Sequence, residues 1–189
     1  MINRNNRIPL TNEILYFIST VDNNHDLSTD TSVFVETNIS ILCEVLKYCK
    51  KKEMIFNYIS SAAVYGKSDI LPATENTICI PKGFYSITKK CAEDLIISFS
   101  ESYNIKYRII RLSNVLGKGD KNVSSKRNTL TWLINKLKKH ERIDLYDNGE
   151  QIRDIIHVKD ACNAIELICK NGKLNEKKDH LIYYNIGTL

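Results

Sequence analysis

The chain has 189 residues, of which 43% are apolar and 26% charged, and this composition predicts a globular protein with a sizeable core, most simply one domain. Its formal net charge of +5 comes from Lys residues interleaved with Asp and Glu, which indicates solubility and a phosphate-bearing ligand at most, not a nucleic-acid partner. The six Cys residues form no C-x-x-C pair and the four His residues are scattered, so we predict reduced thiols and no metal site.

Residues 1–12 are polar and show no periodicity, which predicts a frayed lead-in. They lack the apolar segment of a secretory signal, and no apolar run in the sequence is long enough to span a bilayer. We therefore expect a cytoplasmic protein without a membrane partner.

Short apolar runs alternate with amphipathic helical patterns through the first part of the chain. Buried strands are predicted over Glu13–Ser19, Met54–Ser60 and Lys106–Leu112. Between them, helices are predicted over Val35–Cys49 and in the segment that follows Gly83. This order predicts a doubly wound parallel sheet, whose ligands lie at the carboxyl ends of the strands.

The second part of the chain has weaker patterns. We predict a helix around Leu130–Lys139, a short strand over Ile143–Tyr146, an extended segment over Gln151–Val158, a helix over Lys159–Lys170 with Asp160 as its N-cap, and a last strand over Leu181–Ile186.

Tyr85 and Lys89 are four residues apart at the start of a predicted helix, so both side chains lie on one face. A cation beside a phenol favours the phenolate and lowers its pKa, which makes the pair a candidate proton-transfer device. The alternative is an ordinary solvated helix face, because this spacing is common in any helix.

Four motifs follow one another at predicted strand ends or helix starts. They are Ser60–Gly66 (SSAAVYG), Tyr85-x-x-x-Lys89, Arg111–Asn114 (RLSN) and Arg153–Asp160 (RDIIHVKD). In this order they resemble the NAD-dependent nucleotide-sugar epimerase/dehydratase family of the short-chain dehydrogenase/reductase superfamily, in particular its UDP-glucose 4-epimerase-like members.

The resemblance implies an α/β fold with a partial Rossmann-like doubly wound parallel sheet and an incomplete C-terminal substrate lobe. Residues 13–115 match the second half of the NAD-binding domain. Residues 116–189 match part of the substrate lobe, mixed with a returning Rossmann strand.

Three residues match the family's catalytic positions. The resemblance implies that Tyr85 is the base that takes a proton from a sugar hydroxyl, that Lys89 lowers the pKa of the tyrosine, and that Ser61 hydrogen-bonds the reacting oxygen. A sugar alcohol is a weaker acid than a phenol, so its deprotonation needs a positioned base. The alternative for Ser61 is a hydroxyl that only caps a turn.

The implied cofactor is NAD or NADP. Lys89 matches the residue that binds the nicotinamide ribose, next to Tyr85, and Ser60 and Asn38 are predicted on the cofactor side of the sheet. An equal alternative for Asn38 is a buried polar residue bonded to the backbone.

The implied substrate is a nucleotide sugar. Asn114 and Arg153 match residues near its diphosphate, and a guanidinium suits phosphate geometry. Ala62 and Ala63 stand where the family's 4,6-dehydratases carry an acid and a base, so dehydration is disfavoured and epimerisation, or reduction or oxidation of a sugar hydroxyl, is expected.

The sequence departs from the family in its glycines. None of its seven glycines is clustered, so it contains no G-x-x-G-x-x-G loop for the cofactor pyrophosphate, and Ser19-Thr20 replaces the family's Ala-Ala pair. Its first predicted strand corresponds to the family's fourth. We therefore keep open a truncated or split-gene fragment that is inactive alone, served by a complementing N-terminal chain, as well as a homodimer.

Overall fold

A computed structural model of the protein describes residues 12–19, 31–67, 71–118, 129–150, 152–175 and 182–188. Its strands are β1 (Glu13–Tyr16), β2 (Ile55–Ser61), β3 (Tyr107–Leu112), β4 (Asn114–Leu116), β5 (Ile155–His157) and β6 (Tyr183–Ile186). The main sheet has the order β1-β2-β3-β6 with every neighbouring pair parallel, and β4 pairs with β5 in a small second sheet. Parallel neighbours require crossover connections, which the helices provide.

Helices connect the strands of the main sheet. They are α1 (Ser32–Val35), a π-helical segment (Glu36–Ser40) that continues into α2 (Ile41–Lys52), α3 (Phe84–Tyr103), α4 (Thr129–Lys138) and α5 (Val158–Asn171). Two short 3-10 helices cover Ala62–Tyr65 and Tyr146–Gly149. None of the helices in the described part of the chain is long and apolar enough to cross a membrane.

Successive side chains of a strand point to opposite faces of the sheet, so the apolar ones form two cores. One core lies under α2 and α3 and includes Leu42, Leu46, Phe56, Tyr58, Ala92, Ile96, Tyr107 and Ile109. The other lies under α5 and includes Ile59, Ile110, Leu112, Ile156, Ala161 and Ile186. Helices thus cover both faces of a parallel sheet, which confirms the predicted doubly wound α/β architecture.

The predicted strands of the main sheet are confirmed with small differences in their bounds, and β1 ends at Tyr16, three residues earlier than predicted. Residues 1–11 of the predicted lead-in lie outside the described part of the chain. The predicted division between residues 115 and 116 remains a prediction, and β4 spans it.

Two local predictions are wrong. Residues 143–145 have no regular structure, and Tyr146 begins a 3-10 helix, because these residues pair with no strand among those described. Asp160 is not a helix N-cap, since α5 begins at Val158 and the Nδ1 atom of His157 accepts from the backbone N–H of Lys159 at 3.3 Å. Asp160 lies in the first turn, where its charge complements the helix dipole.

Candidate active site

Helix α3 holds Lys89 against the carboxyl end of β2, and Tyr85 lies one helical turn before it. Gly83 precedes the helix at φ 82°, a conformation that favours glycine and lets the chain turn into the first helical residue. Tyr85 is half-buried, and Lys89 is only 2% exposed. The Nζ atom of Lys89 donates to the carbonyl oxygen of Ile59 at 2.8 Å and lies 4.7 Å from the centre of the Tyr58 ring.

Burial governs the ionisation of the groups at this end of β2. Desolvation lowers the pKa of Lys89 to about 8, although the nearby charge of Glu93 works in the opposite direction. Burial also raises the pKa of Tyr58, with smaller contributions from Glu93 and Tyr85. The site therefore contains a lysine whose pKa is about 8, one helical turn after the predicted base.

The low pKa of Lys89 predicts how stability depends on pH. Between roughly pH 8 and pH 10 the folded chain has lost the Lys89 proton while the unfolded chain still keeps it, so the unfolding free energy gains about 1.4 kcal/mol per pH unit from this group. Urea unfolding of the wild type and of Lys89→Met at several pH values measures this gain as a difference. The titrations of Cys and Tyr side chains cancel in that difference. Parallel curves for the two proteins would contradict the lowered pKa of Lys89.

Ser60 and Ser61 end β2 and their side chains have different partners. The Oγ atom of Ser61 accepts from the backbone N–H of Ala63 at 3.2 Å and caps the 3-10 helix Ala62–Tyr65. This is the capping role that the sequence left open, and a hydroxyl that accepts one hydrogen bond still has its own proton to donate. Ser60 is buried and donates to Glu93 at 2.5 Å, so it faces α3. The catalytic role of Ser61 and the cofactor role of Ser60 remain predictions.

A buried ion pair lies beside these residues, and sequence reasoning missed it. Glu93 of α3 is fully buried and accepts from Arg111 of β3 at 2.7 Å from Nη2 and 3.1 Å from Nε. Arg111 also donates from Nη1 to the hydroxyl of Tyr65 at 2.9 Å, and that hydroxyl donates to Asn185 of β6 at 2.8 Å. The network joins α3 to β2, β3, β6 and the 3-10 helix, so it fixes α3 relative to the strand ends.

Arg111 stays charged within this network. Burial works against its charged form, but the hydrogen bonds and the charge of Glu93 outweigh burial and raise the pKa of Arg111. Its guanidinium also lies 4.0 Å from the centre of the Tyr183 ring, a cation–π contact.

Asn38 lies in the π-helical segment and is buried. Its Nδ2 atom donates to Oγ1 of Thr88 at 2.8 Å, and that hydroxyl donates to the carbonyls of Phe84 and Tyr85 at 2.7 and 3.0 Å. Asn38 thus bonds to a side chain in the turn that carries Tyr85, and its predicted role beside the cofactor remains a prediction. π-Helical turns are frequent at functional sites.

Asn114 and Arg153 come together at the small sheet. Asn114 is the register partner of Ile155 in the β4–β5 pair, and its Nδ2 atom donates to the carbonyl of Asp154 at 2.9 Å. Arg153 is exposed and directly precedes Asp154. The structure therefore places both predicted substrate residues at one corner, at the amino ends of β4 and β5.

No metal centre is found in the described ranges, where no group of three or more His, Cys, Asp or Glu side chains is arranged to hold an ion.

Two curated proteins give the level of sequence similarity. A Methanocaldococcus jannaschii protein, provisionally named UDP-glucose 4-epimerase, resembles this chain. The two sequences are 31% identical over 159 residues, which cover 84% of this chain and 48% of that protein. The dTDP-glucose 4,6-dehydratase of Shigella flexneri is 28% identical over 179 residues, covering 84% of this chain and 47% of the enzyme. The chain therefore spans about half the length of these relatives.

Solved structures share the fold. The UDP-glucose 4-epimerase of Thermotoga maritima, determined with UDP-glucose, aligns with a TM-score of 0.80 at 22% identity over 94% of this chain and 55% of the other. The UDP-glucuronic acid 4-epimerase of Bacillus cereus, determined with UDP-glucuronic acid and NAD, aligns with a TM-score of 0.79 at 21% identity over 94% and 54%. These similarities confirm a Rossmann-like α/β fold.

A family model described as the NAD dependent epimerase/dehydratase family matches residues 11–187, nearly the whole chain. The protein belongs to this family.

Proposed function

We propose that this chain carries the catalytic half of an NAD-dependent nucleotide-sugar 4-epimerase. The observation that carries the proposal is the position of Lys89, buried at the carboxyl end of β2 one helical turn after Tyr85, with a pKa lowered to about 8 by burial. Family membership supports the same chemistry, since the solved relatives include 4-epimerases of several UDP sugars.

The described residues fit the nicotinamide-ribose end of a dinucleotide. Lys89 uses one of its three ammonium donors on Ile59, and an ammonium in a site of low dielectric is a strong donor to a ribose hydroxyl. The pyrophosphate end is different, because the sequence contains no G-x-x-G-x-x-G loop. NAD, when bound, supplies the acceptor that removes a hydride from the sugar and returns it.

Side chains of this chain carry the proton steps. Tyr85 takes the proton of the 4-hydroxyl as that carbon is oxidised to a ketone, and gives it back after the sugar has presented its other face. Ser61 holds the reacting oxygen by a hydrogen bond, and Lys89 stabilises the phenolate form of Tyr85. Both steps depend on α3 holding its position at the end of β2.

The substrate diphosphate is assigned to the corner formed by Asn114 and Arg153. Arg153 offers a planar pair of donors that suits a phosphate. The hydrogen bond from Asn114 to the carbonyl of Asp154 holds the backbone next to Arg153. Ala62 and Ala63, after β2, argue against dehydration, because methyl groups transfer no protons.

A chimera tests the proposal. In it, this chain replaces the segment that it matches in the Thermotoga maritima UDP-glucose 4-epimerase, so that the remaining parts supply the rest of the fold. We expect the chimera to convert UDP-glucose to its 4-epimer. A folded chimera that binds NAD and UDP-glucose but produces no 4-epimer would refute the assignment.

The missing glycine loop favours a second candidate, in which the 189-residue chain alone does not hold NAD and works with a complementing chain. The β1 strand pairs only with β2 among the described residues, and Leu15 and Phe17 near its end are 52% and 69% exposed, which supports a further strand-bearing partner at this edge. The alternative partner is a second copy of this chain, bound through α2 and α3, since Tyr48 and Ile87 are exposed on these helices.

Calorimetric titration of the isolated chain with NAD tests this second candidate. We expect the dissociation constant for NAD to be well above the micromolar range, because the sequence contains no G-x-x-G-x-x-G motif for the pyrophosphate. The chimera, measured in parallel, controls for the quality of the protein and should bind NAD. Micromolar binding by the isolated chain would contradict the need for a complementing chain.

A sugar reductase or dehydrogenase is the remaining alternative for the reaction. It would use the same base but would not return the hydride, so it would change the oxidation state of the cofactor with each turnover. Absorbance of reduced cofactor at the end of the reaction distinguishes it from an epimerase.

A further inference from the structure

Glu93 lies one helical turn beyond Lys89 on the same buried face of α3. The two side chains are four residues apart, so they lie one above the other against the sheet. Lys89 is 2% exposed and Glu93 has no exposed surface. An acidic and a basic side chain therefore share the closed interface between the helix and the sheet.

Strand β2 binds both side chains through consecutive residues. The carbonyl of Ile59 accepts from Lys89 at 2.8 Å, and the hydroxyl of the next residue, Ser60, donates to Glu93 at 2.5 Å. Two successive turns of α3 are thus attached to two successive residues of β2, directly before Ser61. Arg111 holds the same carboxylate from β3 with two hydrogen bonds. The carboxylate is fixed from both strands and has little freedom to move.

Lys89 needs a counter-charge at this position. A buried ammonium whose described acceptor is a neutral carbonyl is costly, and a nearby carboxylate offsets that cost. Several titratable groups face the Lys89–Glu93 pair, and one of them, Arg111, is already bound to Glu93. They are Tyr58 of β2, Tyr85 of α3, Arg111 of β3, Tyr65 of the 3-10 helix, Tyr183 of β6 and Cys79 of the preceding loop.

We propose that Glu93 is a positioning residue: held by Ser60 and Arg111, its carboxylate is the counter-charge that keeps Lys89 as an ammonium at the end of β2. In this arrangement the hydroxyl of Ser60 helps to hold α3 in place, because it donates a hydrogen bond to Glu93. The importance of Lys89 for turnover rests on the proposed function, but the charge relation between Lys89 and Glu93 does not.

Titration of Lys89 in the full chain tests the proposal. NMR of protein labelled with ¹³C at the lysine Cε atoms follows the proton directly, and Lys89→Met identifies the signal. Glu93→Gln keeps the shape of the side chain and removes its charge, so the Lys89 midpoint is expected to fall by roughly one pH unit or more. Glu93→Asp keeps the charge, so the Lys89 midpoint in this variant is expected to stay closer to its wild-type value.

A matched control lies next to Glu93 on the helix. Asp94 is paired with Lys90 on the exposed side of α3, so Asp94→Asn removes the same charge from the neighbouring position. We expect the Lys89 midpoint to remain at its wild-type value in this variant. If the Lys89 midpoint fell equally in Asp94→Asn and Glu93→Gln, the cause would be a general charge effect, and the positioning role of Glu93 would be overturned.

A second variant covers the case in which Glu93→Gln does not fold, because it leaves Arg111 without its counter-charge. The double variant Glu93→Gln/Arg111→Met leaves neither charge unpaired, and replacing both members of a buried pair is commonly tolerated. The Lys89 midpoint is expected to fall there too. A wild-type midpoint in the folded variant overturns the proposal. A chimera without turnover would instead refute the proposed function, because the titration requires neither NAD nor substrate.

Discussion

Tyr85→Phe is expected to reduce turnover of the chimera by about 10²- to 10⁴-fold, the contribution typical of a general acid–base group. The substitution removes only the phenolic oxygen and leaves the half-buried ring in place, so α3 should keep its position at the end of β2. Initial rates of 4-epimer formation at saturating UDP-glucose measure the effect on the chemical step.

The Michaelis constant separates chemistry from binding. Tyr85→Phe should leave it nearly unchanged, whereas Arg153→Met should raise it, since Arg153 is assigned to the diphosphate. Tyr103→Phe is a matched control, because Tyr103 is at the far end of the same helix, and its turnover should equal that of the unsubstituted chimera. Unchanged turnover in Tyr85→Phe would remove Tyr85 from the role of base.

Arg111→Met is expected to lower the unfolding free energy of the chain by about 3–5 kcal/mol. The substitution leaves the fully buried Glu93 without its counter-charge and the hydroxyl of Tyr65 without one donor. Since whole domains are stable by only about 5–15 kcal/mol, urea unfolding should show a much lower midpoint.

Two comparisons check the physical reason for this loss. Arg142→Met breaks an exposed pair with Asp144 and should leave the urea midpoint unchanged. Glu93→Leu/Arg111→Met removes both members of the ion pair. At about pH 9, above the pKa of Lys89, Lys89 no longer needs a counter-charge, and the double variant should recover most of the stability that Arg111→Met loses. A double variant no more stable than Arg111→Met would mean that the packing of the arginine stem, and not an orphaned carboxylate, accounts for the loss.

The main sheet could be predicted from the sequence because its strands are short apolar runs. Met54–Ser60 was predicted as a buried strand, and the structure has β2 at Ile55–Ser61. The failure at Ile143–Tyr146 has the same physical origin, since a run of four residues becomes a strand only if a neighbouring strand pairs with it. Pairing is a tertiary property that a local pattern does not contain.

The site was predictable only where spacing along one helix brings residues together. Tyr85 and Lys89 are four residues apart, so one helix explains their common face. Glu93 has the same spacing from Lys89, yet a charged residue in a helix is normally expected to face solvent. Its partner Arg111 is eighteen residues away on β3, and only the packing of α3 on the sheet brings the two together.

The π-helical segment at Glu36–Ser40 also had no signal in the sequence. The apolar positions around Asn38 follow ordinary helical periodicity, and the inserted turn becomes visible only in the backbone hydrogen bonds. Asn38 lies in this segment and faces inward, toward Thr88 of α3. The bond between these two side chains could not be predicted from either helix alone.

Deuterium at C4 of UDP-glucose gives the most direct test of the central claim that this chain directs a reversible hydride transfer on a nucleotide sugar. In the chimera we expect the 4-epimer to retain the deuterium, with no net reduced cofactor, because the same hydride leaves and returns at C4. Loss of the label to the cofactor, with a keto-sugar released as product, would contradict epimerisation and identify a dehydrogenase instead.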